Sequence, residues 1–281
     1  MALYNKEKFV VEAIESVLNQ SYKDIELVVV DDKSTDGSLE IARRYETDGR
    51  VRVITNSENR GVSYTWNKGI RQSKGRVLAF IGADDVYRPE KIELQMREMS
   101  TEGGYKDEIV YTDYSKMDEG GRVIAPKKLE GSEINTPVTV GTLIKEVVDP
   151  MFGTIAYLKE TALEVGLFDE SLRLREDYEL MLRLARTRPF VGIFKPLYGY
   201  RMVKTSLMHS TPIRESYRVK LGIIEKNLQL NPELMKGDDR VEIRRQIAKC
   251  LIVIRDYRSA LAYSLRYPGM VGDFYYWYTR R

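Results

Sequence analysis

The chain has 281 residues, 43% of them hydrophobic and 31% charged, a balance that fits one large domain with a full core plus an appendage. A net charge of +3 is too mild to point to nucleic acid, although residues 240–281 carry nine Lys and Arg against three Asp and Glu. The single Cys250 excludes an internal disulfide, no stretch approaches the ~18 apolar residues of a membrane span, and no targeting signal follows Met1, so the expected location is cytoplasmic.

In chain order, Phe9, Ala13 and Val17 with Val10, Ile14 and Leu18 recur every four residues and predict a helix. Residues 25–31 (IELVVVD) read as a buried strand. The pattern repeats, with helix at 38–45, strand at 51–54, helix at 62–72 and strand at 77–81. Such alternation predicts a mostly parallel sheet with helices on both faces, whose ligands sit at the carboxyl ends of strands. Asp31-Asp32 and Asp84-Asp85 lie at two such ends, so they are expected to share one crevice. Beyond Pro89 the reading is a helix to Met99, a strand at 109–114, a Gly120-Gly121 turn and a loop around 129–137. A helix at 176–185 and short strands at 190–194 and 197–202 follow. From about Pro212 the chain reads as helices only, with breaks near Asn231-Pro232, Gly237 and Pro268-Gly269.

Taken in order, these residues resemble a family 2 glycosyltransferase of the A-type glycosyltransferase fold. The likeness rests on LYNKEKFVVEAIESVLNQSYKDIELVVVDDKSTDGS (3–38), NRGVSYTWNKGIRQSKGRVLAFIGADDVYRPEKI (59–92) and VGLFDESLRLREDYELMLRLA (165–185), and it covers about residues 2–205. The resemblance implies a Rossmann-like, mostly parallel central sheet with helices on both faces and a C-terminal helical appendage. The expected division is a catalytic domain over 1–210, its nucleotide-sugar-binding half at 1–100 and its acceptor half at 101–210, with the appendage at 211–281.

By the same resemblance Asp32 accepts hydrogens from the edge of the nucleotide base, and Tyr4 stacks over it. The plainer reading of Asp31, Asp32 and Asp36 is a strand-end turn that caps the next helix. Asp84 holds the ribose or shares a metal, and Asp85 coordinates Mg²⁺ or Mn²⁺ bridging the diphosphate. The family often has Asp at the first position of Gly82-Ala83-Asp84-Asp85, and the glycine leaves the division of labour open. Arg60 contacts base or phosphate, or is a surface arginine; Asn67 braces the acidic loop, or is structural. Asp177, beside Glu176, is the candidate general base of an inverting displacement, and both acids also suit a helix N-terminus. Asp169-Glu170 reads as structural. Arg201 of the Tyr200-Arg201 pair contacts diphosphate or acceptor, or forms a salt bridge at the core edge. Ser206 matches a nearby family serine; the family's late histidine falls at Val203 rather than at His209, the chain's one histidine.

The expected activity is transfer of a sugar from a nucleotide-diphosphate donor to a glycan or lipid-linked acceptor, in surface-polysaccharide, lipopolysaccharide or glycoprotein glycan assembly. The competing reading is a non-catalytic, degenerate transferase fold that binds nucleotide or glycan or acts as a scaffold. A nicotinamide-dependent dehydrogenase is set aside, because no glycine fingerprint follows the first strand. The family's opening strand is nearly absent here, so the natural product is expected to start several residues earlier. Phe274, Tyr275, Tyr276, Trp277 and Tyr278 before Arg280-Arg281 suit either peripheral contact with the inner face of the cell membrane or packing on the preceding helices or a second subunit.

Overall fold

A computed structural model describes residues 1–127, 136–148, 150–203, 211–236 and 240–266. They fall into two compact units, Met1–Asn135 with Pro150–Val203, and Thr136–Asp149 with Lys204–Arg281.

The first unit is built around Leu27–Asp31 (β2), buried along its whole length. A strand covered on both faces must be apolar at every position, which is why LVVV shows no alternation. It pairs in parallel with Ala2–Leu3 (β1) on one side and Val51–Thr55 (β3) on the other. The opening strand is thus two residues long but lies inside the core, Leu3 being fully buried. Between these strands run Val10–Leu18 (α1), Ser38–Arg44 (α2) and, after β3, Val62–Gln72 (α3). Helix α1 buries Val10, Ala13, Ile14 and Val17, the i, i+3, i+4, i+7 stripe expected of a core-facing helix. The Asp36 carboxylate accepts the Ser38 N–H at 3.0 Å, one residue outside the cap position held by Gly37.

Beyond α3 come Val77–Ala79 (β4), Val86–Tyr87 (β5), Lys91–Met99 (α4), the short hairpin Ser100–Thr101 (β6) and Gly104–Tyr105 (β7), then Ile109–Met117 (β8) and Val123–Lys127 (β9). Val140–Ile144 (α5) belongs to the second unit, and Ala156–Leu158 (β10), Lys159–Val165 (α6), Glu176–Thr187 (α7) and Phe190–Arg201 (β11) return to the first. The second sheet runs β4-β10-β8-β11-β5 with β9 on β8, and the parallel bridge Ala2–Gly82 ties it to the first sheet. Pairing is parallel throughout β1-β2-β3 and between β8 and β11, and antiparallel at β4–β10, β8–β10, β5–β11 and β8–β9.

One element departs from expectation. Residues 190–202 were read as two short strands, whereas β11 is a single strand whose register on β8 shifts on either side of Pro196. Proline has no N–H to give the ladder, so the strand bulges there instead of ending.

In the second unit, Thr139 caps α5 through a reciprocal box with Thr142. The Glu146 carboxylate then joins that segment to Lys220, on the helix Ile213–Leu230, and at 2.9 Å to Lys249, on the helix Arg240–Val253. Cys250, on the second of these helices, is buried. The helix Tyr257–Arg266 is the last described element, and none of the described helices is long and apolar enough to cross a membrane. The aromatic-basic tail, Ser206 and His209 lie outside the described residues.

Candidate active site

The end of β2 presents Asp32, whose N–H donates to the Leu3 carbonyl at 2.8 Å, beside Tyr4. Its buried carboxylate collects three donors: Oδ1 accepts from Asn56 Nδ2 at 2.7 Å and the Arg60 N–H at 2.8 Å, and Oδ2 accepts from the Gly61 N–H at 2.8 Å. Gly61 stands at φ +87°, a left-handed conformation that favours glycine and turns its amide toward Asp32 just before α3 begins. Asp32 therefore pins the start of α3, and Oδ2, with one hydrogen bond from the protein, retains acceptor capacity. Tyr4 is 44% exposed. The Arg60 guanidinium is turned to its own neighbourhood, over the Tyr64 ring at 4.8 Å and paired with Glu58 at 3.0 Å. Asp31 accepts the Ser34 N–H and so holds the turn at the strand end, ahead of α2 rather than at its cap.

Asp84 and Asp85 follow β4 in a tight turn. Asp84 Oδ2 meets Lys6 Nζ at 2.6 Å, with both side chains largely shielded from water. Asp85 is buried and held by β11 through both oxygens: Oδ1 accepts the Arg201 N–H at 2.8 Å, and Oδ2 accepts the Tyr198 hydroxyl at 2.6 Å. Burial and the adjacent Asp84 charge push the Asp85 carboxyl up to about 7, against the hydrogen bonds from Tyr198 and Arg201. Gly82 has a steric reason: a Cβ there would stand 2.6 Å from Asp85 Oδ2 and 3.1 Å from Asp84 Oδ1. The carboxylates fold back over the glycine, so an aspartate at 82 demands another placement of Asp85.

Arg201 takes the structural alternative. It is buried, donating Nε to the Asp84 carbonyl at 2.7 Å and Nη1 to the Glu119 carbonyl at 2.9 Å, with its remaining nitrogen paired to Glu12. It stiffens the acidic turn from behind.

Asn67 is not brought to the acidic loop. Its amide donates to the Phe168 carbonyl at 2.9 Å and to Glu170 at 2.8 Å, and its oxygen accepts the Phe168 N–H at 2.9 Å. Ser63, one turn earlier, donates to the Leu172 carbonyl at 3.0 Å. Helix α3 thus presents a polar buried face that fixes residues 168–172, the approach to α7. Arg175, at φ +61°, turns the chain into that helix, whose first two residues are Glu176 and Asp177. Burial, then the Asp177 charge, push the half-buried Glu176 carboxyl up to about 8. The Tyr200 hydroxyl is pushed up to about 12 by burial and by the charges of Asp85, Asp84, Tyr114 and Asp177.

Among the described residues, no three or more His, Cys, Asp or Glu side chains converge as a metal cluster. The Asp84-Asp85 pair does supply two hard oxygen ligands with a surplus of negative charge, the donor set that Mg²⁺ or Mn²⁺ accepts when phosphate oxygens and water complete the shell. Lys6 and Tyr198 are site residues that sequence reasoning missed. For Lys6 the signal was its place in the YNK segment, next to Tyr4.

An acidic turn after β4, a buried carboxylate at the end of β2 and an acidic pair opening α7, all in one α/β unit, keep the order that the resemblance to an A-type glycosyltransferase implies. Comparisons bear this out: the model of glycosyl transferase family 2 matches residues 1–160, and the chain belongs to that family. It is 32% identical over 280 residues to an uncharacterized glycosyltransferase of Rickettsia prowazekii, covering 97% of this chain and 85% of that one. It is 28% identical to the putative teichuronic acid biosynthesis glycosyltransferase TuaG of Bacillus subtilis, covering 73% and 78%. Of a longer Rickettsia bellii glycosyltransferase the chain spans 28%. TarS of S. aureus, solved with UDP-GlcNAc, superposes with a TM-score of 0.63 at 20% identity, over 89% of this chain and 70% of that one. The protein is a glycosyltransferase of the A-type fold.

Proposed function

We propose that the protein is an inverting transferase that moves a sugar from a nucleoside-diphosphate donor to a hydroxyl of a glycan or lipid-linked acceptor in cell-surface polysaccharide assembly. One observation carries the reading: in a chain of glycosyl transferase family 2, β11 clamps the buried Asp85 through both of its oxygens, beside Asp84. TuaG is named for teichuronic acid biosynthesis and TarS was solved with UDP-GlcNAc, which favours a polysaccharide product and a uridine donor.

In this reading Tyr4 stacks on the base and Asp32 Oδ2 accepts its imide hydrogen. Asp84 and Asp85 would hold a divalent cation, which when bound neutralises charge on the leaving diphosphate. Asp177 accepts the proton of the acceptor hydroxyl as its oxygen bonds to the anomeric carbon and the bond to the diphosphate breaks on the opposite face, so one displacement inverts the centre. The part of the first unit beyond residue 100 contributes the acceptor side.

Calorimetric titration with UDP, GDP and dTDP, with and without Mn²⁺, tests the reading beside an Asp85→Ala variant. Metal-dependent binding of one nucleotide that the variant loses is expected. Absence of binding by the folded protein would overturn the donor assignment.

A further inference from the structure

Tyr198 lies on β11 with its ring fully enclosed, yet its hydroxyl reaches Asp85 Oδ2 at 2.6 Å. Two glycines make that reach possible. A Cβ at Gly153, in the turn Phe152–Thr154, would stand 2.3 Å from Tyr198 Cζ and 2.4 Å from its hydroxyl, so a side chain there would drive the ring from its slot. A Cβ at Gly82 would press on the carboxylate oxygen that the phenol meets. On its other face the ring rests against the ring of Tyr87, centroids 5.8 Å apart, a contact that needs no hydroxyl on Tyr87. The second Asp85 oxygen is taken by the Arg201 N–H at 2.8 Å. With one donor on each oxygen, both from β11, the carboxylate plane cannot rotate without losing a hydrogen bond in a buried site. Each oxygen keeps a second lone pair, which that fixed plane aims.

We infer that Tyr198 is a positioning residue of the donor site, whose hydroxyl, seated by Gly153, sets the orientation in which Asp85 meets the cation and diphosphate. This rests on the proposed function, since it assigns Asp85 that partner. A partner of this kind around a metal carboxylate typically contributes ten- to hundredfold in metal affinity. A tyrosine retained only for packing would not require its oxygen, because Phe fills the same slot.

The test is Mn²⁺ binding followed by electron paramagnetic resonance on the full chain, in the presence of a saturating amount of the nucleoside diphosphate that the wild type takes up. Tyr198→Phe is expected to weaken Mn²⁺ binding roughly ten- to hundredfold. Gly153→Ala, which displaces the phenol while leaving its oxygen on the chain, is expected to do the same, so the question is answered if either variant folds. Tyr87→Phe removes a neighbouring buried hydroxyl that serves only the main chain; it is expected to lower the melting temperature and leave Mn²⁺ affinity within twofold. Wild-type affinity in either folded variant, Tyr198→Phe or Gly153→Ala, or an equal loss in Tyr87→Phe, would overturn the positioning role. A wild type that binds the nucleotide with no Mn²⁺ would instead remove the metal from the proposed function, and this inference with it.

Discussion

The two acidic pairs of the site are built differently. Asp84-Asp85 sits in a turn that the rest of the unit grips: Lys6 on one carboxylate, Tyr198 and the Arg201 amide on the other, and the Arg201 side chain behind them. Glu176-Asp177 stands at the start of α7, half-buried, entered through the left-handed Arg175 and located by α3 through Asn67 and Ser63. Both hold a carboxyl pushed far above its usual range, Asp85 to about 7 and Glu176 to about 8, because in each a second acid is adjacent in a poorly hydrated place. A carboxylate clamped through both oxygens is suited to hold a ligand in one geometry. A pair at a helix start, where the peptide dipoles favour negative charge, is suited to exchange a proton.

The sharpest break of this comparison is Asp177→Asn, which keeps size and removes basicity. Transfer is expected to fall about 10²–10⁴-fold, while calorimetric nucleotide binding at the other pair stays at the wild-type value. Transfer surviving at more than a tenth of the wild-type rate would move the base to Glu176 or elsewhere. Asn67→Ala probes the link between the pairs. It leaves the Phe168 N–H and carbonyl without their partner in the interior, so urea denaturation should show a loss of ~2–3 kcal/mol. Nucleotide binding should persist, since Asp32 keeps its own three donors. A variant that loses nucleotide binding at unchanged stability would make Asn67 a donor residue after all.

The donor-side frame was legible in sequence where its cause is local. LVVVD ends in its acids because a doubly covered strand must be apolar until it emerges, and the four-residue rhythm of α1 marks its buried stripe. The acidic turn and the α7 acids were located by the same logic. What was not legible depends on contacts between residues far apart in the chain. Asn67 reads as a site residue until its partners, about a hundred residues on, are seen to be the Phe168 main chain and the Glu170 side chain. Tyr198 in a strand looks like ordinary β propensity, and Gly153 like a turn residue, until the phenol is found against Asp85. Strand β10 is three residues long, too short to show any period. Pro196 argues for a break in sequence, while the β8 ladder carries the strand past it.

The smallest effect tests whether the acceptor-side pair carries the strain that its environment predicts. The Glu176 carboxyl is raised from 4.5 to about 8 by burial and by Asp177, so between those values the unfolded chain has released a proton that the folded one retains. Stability contributed by this group is full below about pH 4.5, falls as pH rises toward 8, and levels off above it. Glu176→Gln, which cannot ionise, is free of that decline. Its stability relative to wild type in urea denaturation should climb from about pH 4.5 to 8, reaching on the order of 1–2 kcal/mol once solvent screening of a half-buried group is allowed for. A pH-independent difference would mean that Glu176 ionises normally in the folded protein. The proton-exchanging character assigned to this pair would then rest on Asp177 alone.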